Sequence, residues 1–95
     1  LSYDDQLRRD VITQLMCHFH VDLQKITTLY EMHAIDYFAD ELDQLEMMQS
    51  DGMLMINGSQ ISVAPQGRLL IRNICAVFDR YNQPVQNKAQ FSRMI

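Results

Sequence analysis

The sequence has no tryptophan, only two prolines, three glycines and two cysteines. So little proline and glycine excludes a collagen-like or low-complexity chain and leaves room for regular elements. Two thiols cannot hold an iron–sulfur cluster, which usually takes at least three. Both lie in apolar helical runs, Leu15-Met16-Cys17 and Ile74-Cys75-Ala76. They read as buried free thiols of a reducing compartment, the cytoplasm. No apolar run approaches about 18 residues, so no membrane span is expected. The start, Leu1-Ser2-Tyr3-Asp4-Asp5, is acidic and polar, unlike a signal peptide. It begins at Leu rather than Met, as expected of a piece of a longer protein. The 95 residues amount to one domain.

Net charge is −4, unevenly spread. Residues 1–52 carry three Lys or Arg against eleven Asp or Glu. Residues 53–95 carry five against Asp79 alone. The two halves read as complementary faces of one domain, or the basic end meets an acidic partner or ligand.

Ser2 with Asp4 and Asp5 marks a helix start, and Leu7, Val11, Leu15 and Phe19 recur at helical spacing. This predicts a helix over about 3–18. Residues 19–23 alternate weakly, as in a short strand. Asp22 is a fitting N-cap for a helix over about 23–30. Ile35, Phe38, Leu42, Leu45 and Met48 form a stripe that predicts a helix over 32–49. Asp36, Asp40, Asp43 and Glu46 lie opposite it. Asn57-Gly58 between apolar runs predicts a hairpin over 53–63. Pro65 opens a last helix with Leu70, Ile74, Val77, Phe78 and Tyr81 on its apolar face.

Helix, strand, short helix, longer helix, hairpin, helix is the order of a winged-helix domain. The expected fold is therefore α+β, mostly helical and winged-helix-like, with the small β-hairpin as wing. A four-helix bundle with an inserted hairpin is the alternative. The domain is expected over 1–81, with 82–95 as a polar C-terminal tail.

Nucleic acid is excluded as a partner by charge. The would-be recognition helix has no Lys or Arg and presents carboxylates that repel phosphates. Metal binding finds no support either. Cys17, His18, His20, His33 and Cys75 lack C-x-x-C or H-x-x-x-H spacing. Four of the seven methionines, Met47, Met48, Met53 and Met55, cluster near the hairpin and read as core or a domain interface. Arg68, Arg72 and Arg80 share one i, i+4 register. They form a solvated face, partner the acidic third helix, or bind carboxylates as bidentate forks. No nucleophile–base pair, Gly-rich phosphate loop or paired carboxylates stand out.

Several strings are more specific than any of these patterns. Leu7-Arg8-Arg9-Asp10-Val11-Ile12, Asp36-Tyr37-Phe38-Ala39, Gly67-Arg68-Leu69-Leu70-Ile71-Arg72-Asn73-Ile74-Cys75, Phe78-Asp79 and Gln90-Phe91-Ser92-Arg93-Met94-Ile95 carry a resemblance over essentially the whole chain. It resembles the C-terminal domain of the oxygen-independent coproporphyrinogen III oxidase family, also called coproporphyrinogen III dehydrogenases. Ala64 departs from that pattern, standing where Thr is common, and makes a poor helix cap.

The resemblance implies a parent enzyme of haem biosynthesis that decarboxylates coproporphyrinogen III oxidatively to protoporphyrinogen IX. It implies that the parent's 4Fe–4S cluster and S-adenosylmethionine belong to a catalytic barrel domain preceding this one in the same chain. This domain, without catalytic residues or cofactor of its own, is expected to cover the substrate there. Arg68 and Arg72 are its expected substrate-binding residues, and Phe91 and Arg93 are expected to help dock it on the barrel. A protein-interaction module working through the Met-rich hairpin is one alternative. A haem-binding or haem-trafficking relative, ligating through His18, His20 or His33, is the other.

Overall fold

A computed structural model describes residues 2–79. The elements are α1 (Tyr3–His18), β1 (His20–Asp22), α2 (Leu23–Tyr30), α3 (Ala34–Tyr37), α4 (Ala39–Ser50), β2 (Leu54–Asn57), β3 (Gln60–Val63), a 3₁₀ segment (Pro65–Leu70) and α5 (Ile71–Ala76). The fold is α+β and mostly helical, with one three-stranded antiparallel sheet in the order β1-β3-β2. Among the described residues, no helix is long and apolar enough to cross a membrane.

Helix α1 begins where Ser2 accepts a hydrogen bond from the Asp5 amide. Its Leu7, Val11 and Leu15, four residues apart, are fully buried. Each such side chain stabilises by about 1.5–3 kcal/mol. Cys17 departs from the expected buried thiol: it is exposed. Two steps beyond Leu15 it stands some 200° round the helix, away from the core.

The helix closes at Phe19, whose left-handed backbone (φ 56, ψ 29) turns the chain into β1. The Phe19 carbonyl then accepts from the Val63 amide at 2.9 Å. Asp22 caps α2 as expected, accepting from the Gln24 amide at 2.9 Å and from the Ser59 hydroxyl at 2.9 Å. That pair of bonds ties the start of α2 to the hairpin tip.

The expected single helix over 32–49 is two helices, broken at Phe38 (φ −101, ψ 26). The Phe38 ring is fully buried, edge-on to Phe78 with centroids 5.3 Å apart. The break redirects the buried stripe to Ala34, Phe38, Glu41 and Leu45, and leaves Ile35 exposed. Asp36, Asp40, Asp43 and Glu46 are all exposed, as the spacing predicts.

In the hairpin Asn57 pairs with Gln60, so Gly58 and Ser59 form the two-residue loop, one position later than an Asn-Gly turn. Gly58 alone of these takes positive φ (63°), the pattern of a type II′ turn. The last helix also differs from expectation. It starts as a 3₁₀ segment and becomes α-helical only at Ile71. Tyr81, Arg80, the tail 82–95, and with it Phe91 and Arg93, lie outside the described residues.

Candidate functional site at the start of the last helix

Pro65 occupies the first turn of the 3₁₀ segment, and Ala64 supplies no side-chain cap. The Gly67 and Arg68 amides instead both bond the Ala64 carbonyl, at 2.9 and 3.2 Å. Gly67 is buried so closely on Met53 that an added Cβ would lie 1.9 Å from the Met53 carbonyl oxygen. Gln66 donates to the Gly52 carbonyl at 2.7 Å. These contacts fix the segment against the loop between α4 and β2.

Its next residues face outward. Arg68 lays its guanidinium over the Phe19 ring, 4.5 Å from the centroid. Leu69 is 90% exposed and Leu70 44%. Leu70 was expected on the apolar face of one continuous α-helix. The tighter 3₁₀ winding and the non-helical Leu70 backbone (φ −111, ψ 24) turn it out of that stripe.

Arg72, on α5, lines an open cleft of about 260 Å³ with Ile12, Met16, Cys75, Ala76 and Asp79. The structure thus separates the two expected site arginines onto different elements, against different neighbours. Both still border the C-terminal half of α1. Among the described residues the ion pairs are made by Arg8 rather than by Arg68 or Arg72. Arg72 has an acidic neighbour in Asp79, which shares its cleft. At the cleft floor Cys75 is buried, and its thiol donates weakly to the Ile12 carbonyl at 3.9 Å. Burial pushes that thiol up to about 11.

Sequence reasoning missed Arg8. Its Nε donates to both Asp4 oxygens at 3.0 Å, and its Nη1 reaches Glu41 at 2.8 Å and the Phe78 carbonyl at 3.1 Å. Its guanidinium also lies 5.5 Å from the Phe38 centroid. Burial works against its charge, but hydrogen bonds and attraction from Glu41 and Asp4 outweigh this and raise its pKa. The Tyr37 hydroxyl donates to Asp4 as well. This cluster joins α1, α3, α4 and the chain just after α5. No helical-wheel signal pointed to it, because Glu41 joins the buried stripe only once Phe38 breaks the helix.

His18, His20 and His33 stand on α1, on β1 and before α3. His20 Nε2 lies 3.0 Å from Gln60 Oε1. Among the described residues no group of three or more His, Cys, Asp or Glu is placed to hold a metal.

The described residues thus form an α+β domain, a three-stranded antiparallel sheet packed with helices, whose last helix has a fixed, arginine-bearing start. Residues 1–70 match the HemN C-terminal domain family model, and the chain belongs to that family. It is 43% identical over 95 residues to the oxygen-independent coproporphyrinogen III oxidase of Escherichia coli K12, covering all of this chain and 21% of that protein. It is 44% identical over 99 aligned positions to the enzyme of the same name from Synechocystis, again covering all of this chain and 21% of the relative. A solved structure of coproporphyrinogen III oxidase (HemN) from Escherichia coli, a radical SAM enzyme, superposes with a TM-score of 0.82 at 43% identity. It covers 85% of this chain and 19% of that one. The chain thus spans about a fifth of the relatives it matches.

A radical SAM enzyme implies a 4Fe–4S cluster, and the residues of this chain do not fit one. Cys17 points outward from α1 while Cys75 is buried at α5, and two thiols are too few.

Proposed function

We propose that this chain is the substrate-covering C-terminal domain of a cytoplasmic oxygen-independent coproporphyrinogen III dehydrogenase, and is not catalytic by itself. In this reading the cluster and S-adenosylmethionine belong to a barrel domain earlier in the same protein. The observation that carries it is the match of the entire chain to about a fifth of the length of enzymes bearing that name, together with the match of residues 1–70 to the HemN C-terminal domain family. The order of elements and the sheet order β1-β3-β2 support a winged-helix reading of the domain.

Coproporphyrinogen III is an apolar macrocycle with four propionates. Arg68 and Arg72, held on fixed backbone, supply cations for the propionates of such a molecule. A domain closing over a radical site also excludes water and side reactions.

A chimera tests this. The C-terminal fifth of the Escherichia coli enzyme is replaced by this chain, or deleted, and anaerobic turnover and cluster absorbance are measured. The chimera should turn over coproporphyrinogen III. The deletion should keep the cluster and lose turnover. Full turnover by the deletion, or an inactive chimera with a normal cluster, would refute the reading.

A further inference from the structure

We infer that the 3₁₀ segment and the start of α5, centred on Leu69 and Leu70, form the face that docks this domain onto the portion of the same protein that precedes it. The inference rests on the reading above, which supplies that portion, and adds which surface meets it.

Two consecutive leucines at 90% and 44% exposure are unfavourable in water unless something covers them. Exposed apolar residues elsewhere, such as Leu29 on α2 and Met47 on α4, stand on helices whose opposite faces enter the core. Leu69 is different in being held out by its surroundings. Gly67 is jammed against the Met53 carbonyl, Gln66 is bonded to Gly52, and Arg68 lies on Phe19. The segment therefore cannot roll to bury its leucines without breaking these contacts. A rigid apolar projection of this kind is preorganised for an interface.

The flanking chemistry agrees. Arg68 and Arg72 bracket the leucines, and Asn73 beyond them is exposed. Next to them the cleft offers Ile12 and the half-exposed Met16. An apolar centre suits an apolar patch on the preceding portion, with the arginines at its rim left to the propionates at the edge of the interface. The length of chain outside the structure favours the same protein as occupant. About four-fifths of each of the Escherichia coli and Synechocystis relatives lies outside this domain.

The test uses the chimera described above, since an active chimera establishes the parent independently. Amide hydrogen exchange over residues 68–74 and turnover are compared for Leu69→Glu, Leu69→Lys, Leu29→Glu and Met47→Glu. Both Leu69 variants should exchange at least tenfold faster in this segment and lose turnover tenfold or more, with cluster absorbance unchanged. Leu29→Glu and Met47→Glu should match the parent chimera. Unchanged exchange and turnover in both Leu69 variants of an active chimera would overturn the inference. So would equal losses in all four variants. An inactive starting chimera would instead refute the functional reading beneath it.

Discussion

Arg8 donates from Nη1 to Glu41 at 2.8 Å, and that glutamate is only 6% exposed. It is the buried charged residue of the described core, and Arg8 is the cation that matches it. Removing one member of a buried pair leaves the other without compensation and costs about 3–5 kcal/mol. Arg8→Leu is therefore expected to lower unfolding free energy by about 3 kcal/mol. Glu41→Gln, which keeps an acceptor for Arg8, should lose less. The double variant Arg8→Leu/Glu41→Leu should be more stable than Arg8→Leu alone. Urea unfolding of these variants and the wild type reads this directly, and a double variant no more stable than Arg8→Leu would contradict it.

Gly67 and Gly58 separate two reasons for glycine. Gly67 has no room, because a Cβ would meet the Met53 carbonyl oxygen at 1.9 Å. Gly58 has open space but a φ of 63°. Gly67→Ala must move backbone and is expected to cost about 2–3 kcal/mol, in the range of overpacked cores. Gly58→Ala should cost about 1 kcal/mol, and Gly58→Asn less, because Asn tolerates the left-handed region. Thermal unfolding midpoints in the order wild type, Gly58→Asn, Gly58→Ala, Gly67→Ala check the ranking.

The two thiols should report exposure and ionisation separately. Cys17 is exposed and should take one alkylating group in the native protein, with Cys75 labelled only on unfolding. Burial raises Cys75 from about 9 to about 11, so the folded state holds the thiol proton more tightly than the unfolded chain. Its stabilisation is full below about pH 9 and is lost as pH rises through 11. Cys75→Ala should therefore flatten the fall in stability between pH 9 and pH 11. Equal slopes in variant and wild type would refute the role of burial.

Much of this fold was legible because local chemistry and tertiary packing agree. Ser2 and Asp22 cap the helices they were read to cap, and the period of Leu7, Val11 and Leu15 is the period of burial. The misread helix bounds share one cause, a backbone break that periodicity cannot see. Phe38 interrupts a good helical stripe because its ring is needed against Phe78, forty residues on. The 3₁₀ start at Pro65 reflects the contact of Gly67 with Met53, also distant in sequence. For the same reason Arg68 and Arg72, read as one i, i+4 register of a single helix, stand on two elements, the 3₁₀ segment and α5. Cys17 was misplaced by reading an apolar run as a buried face. The Arg8 cluster stayed hidden because Glu41 looks, by type alone, like a solvated charge.

The separation of Arg68 from Arg72 yields the last prediction. Arg68 spends its guanidinium on the Phe19 ring, a contact worth about 0.5–1 kcal/mol at an exposed site. Phe19 in turn closes α1 and anchors the end of β3 through its carbonyl. Arg68→Ala is thus expected to lower stability by about 0.5–1 kcal/mol, with Arg68→Lys intermediate because ammonium stacks less well on a ring. Arg72 has no such ring contact and lines an open cleft, so Arg72→Ala should leave stability within about 0.5 kcal/mol of wild type. If both arginines hold propionates in the full enzyme, each Ala variant should lower kcat/KM about 10- to 100-fold, equivalent to a charge-assisted pair. Cluster content and S-adenosylmethionine binding should not change. Stability and kcat/KM measured on the same chimera variants divide the outcomes. A drop in kcat/KM for Arg72→Ala with unaltered stability places Arg72 at the substrate. Loss of stability in Arg68→Ala with unchanged kcat/KM would confine Arg68 to packing on Phe19. Unchanged kcat/KM in both variants would remove the pair from the substrate site.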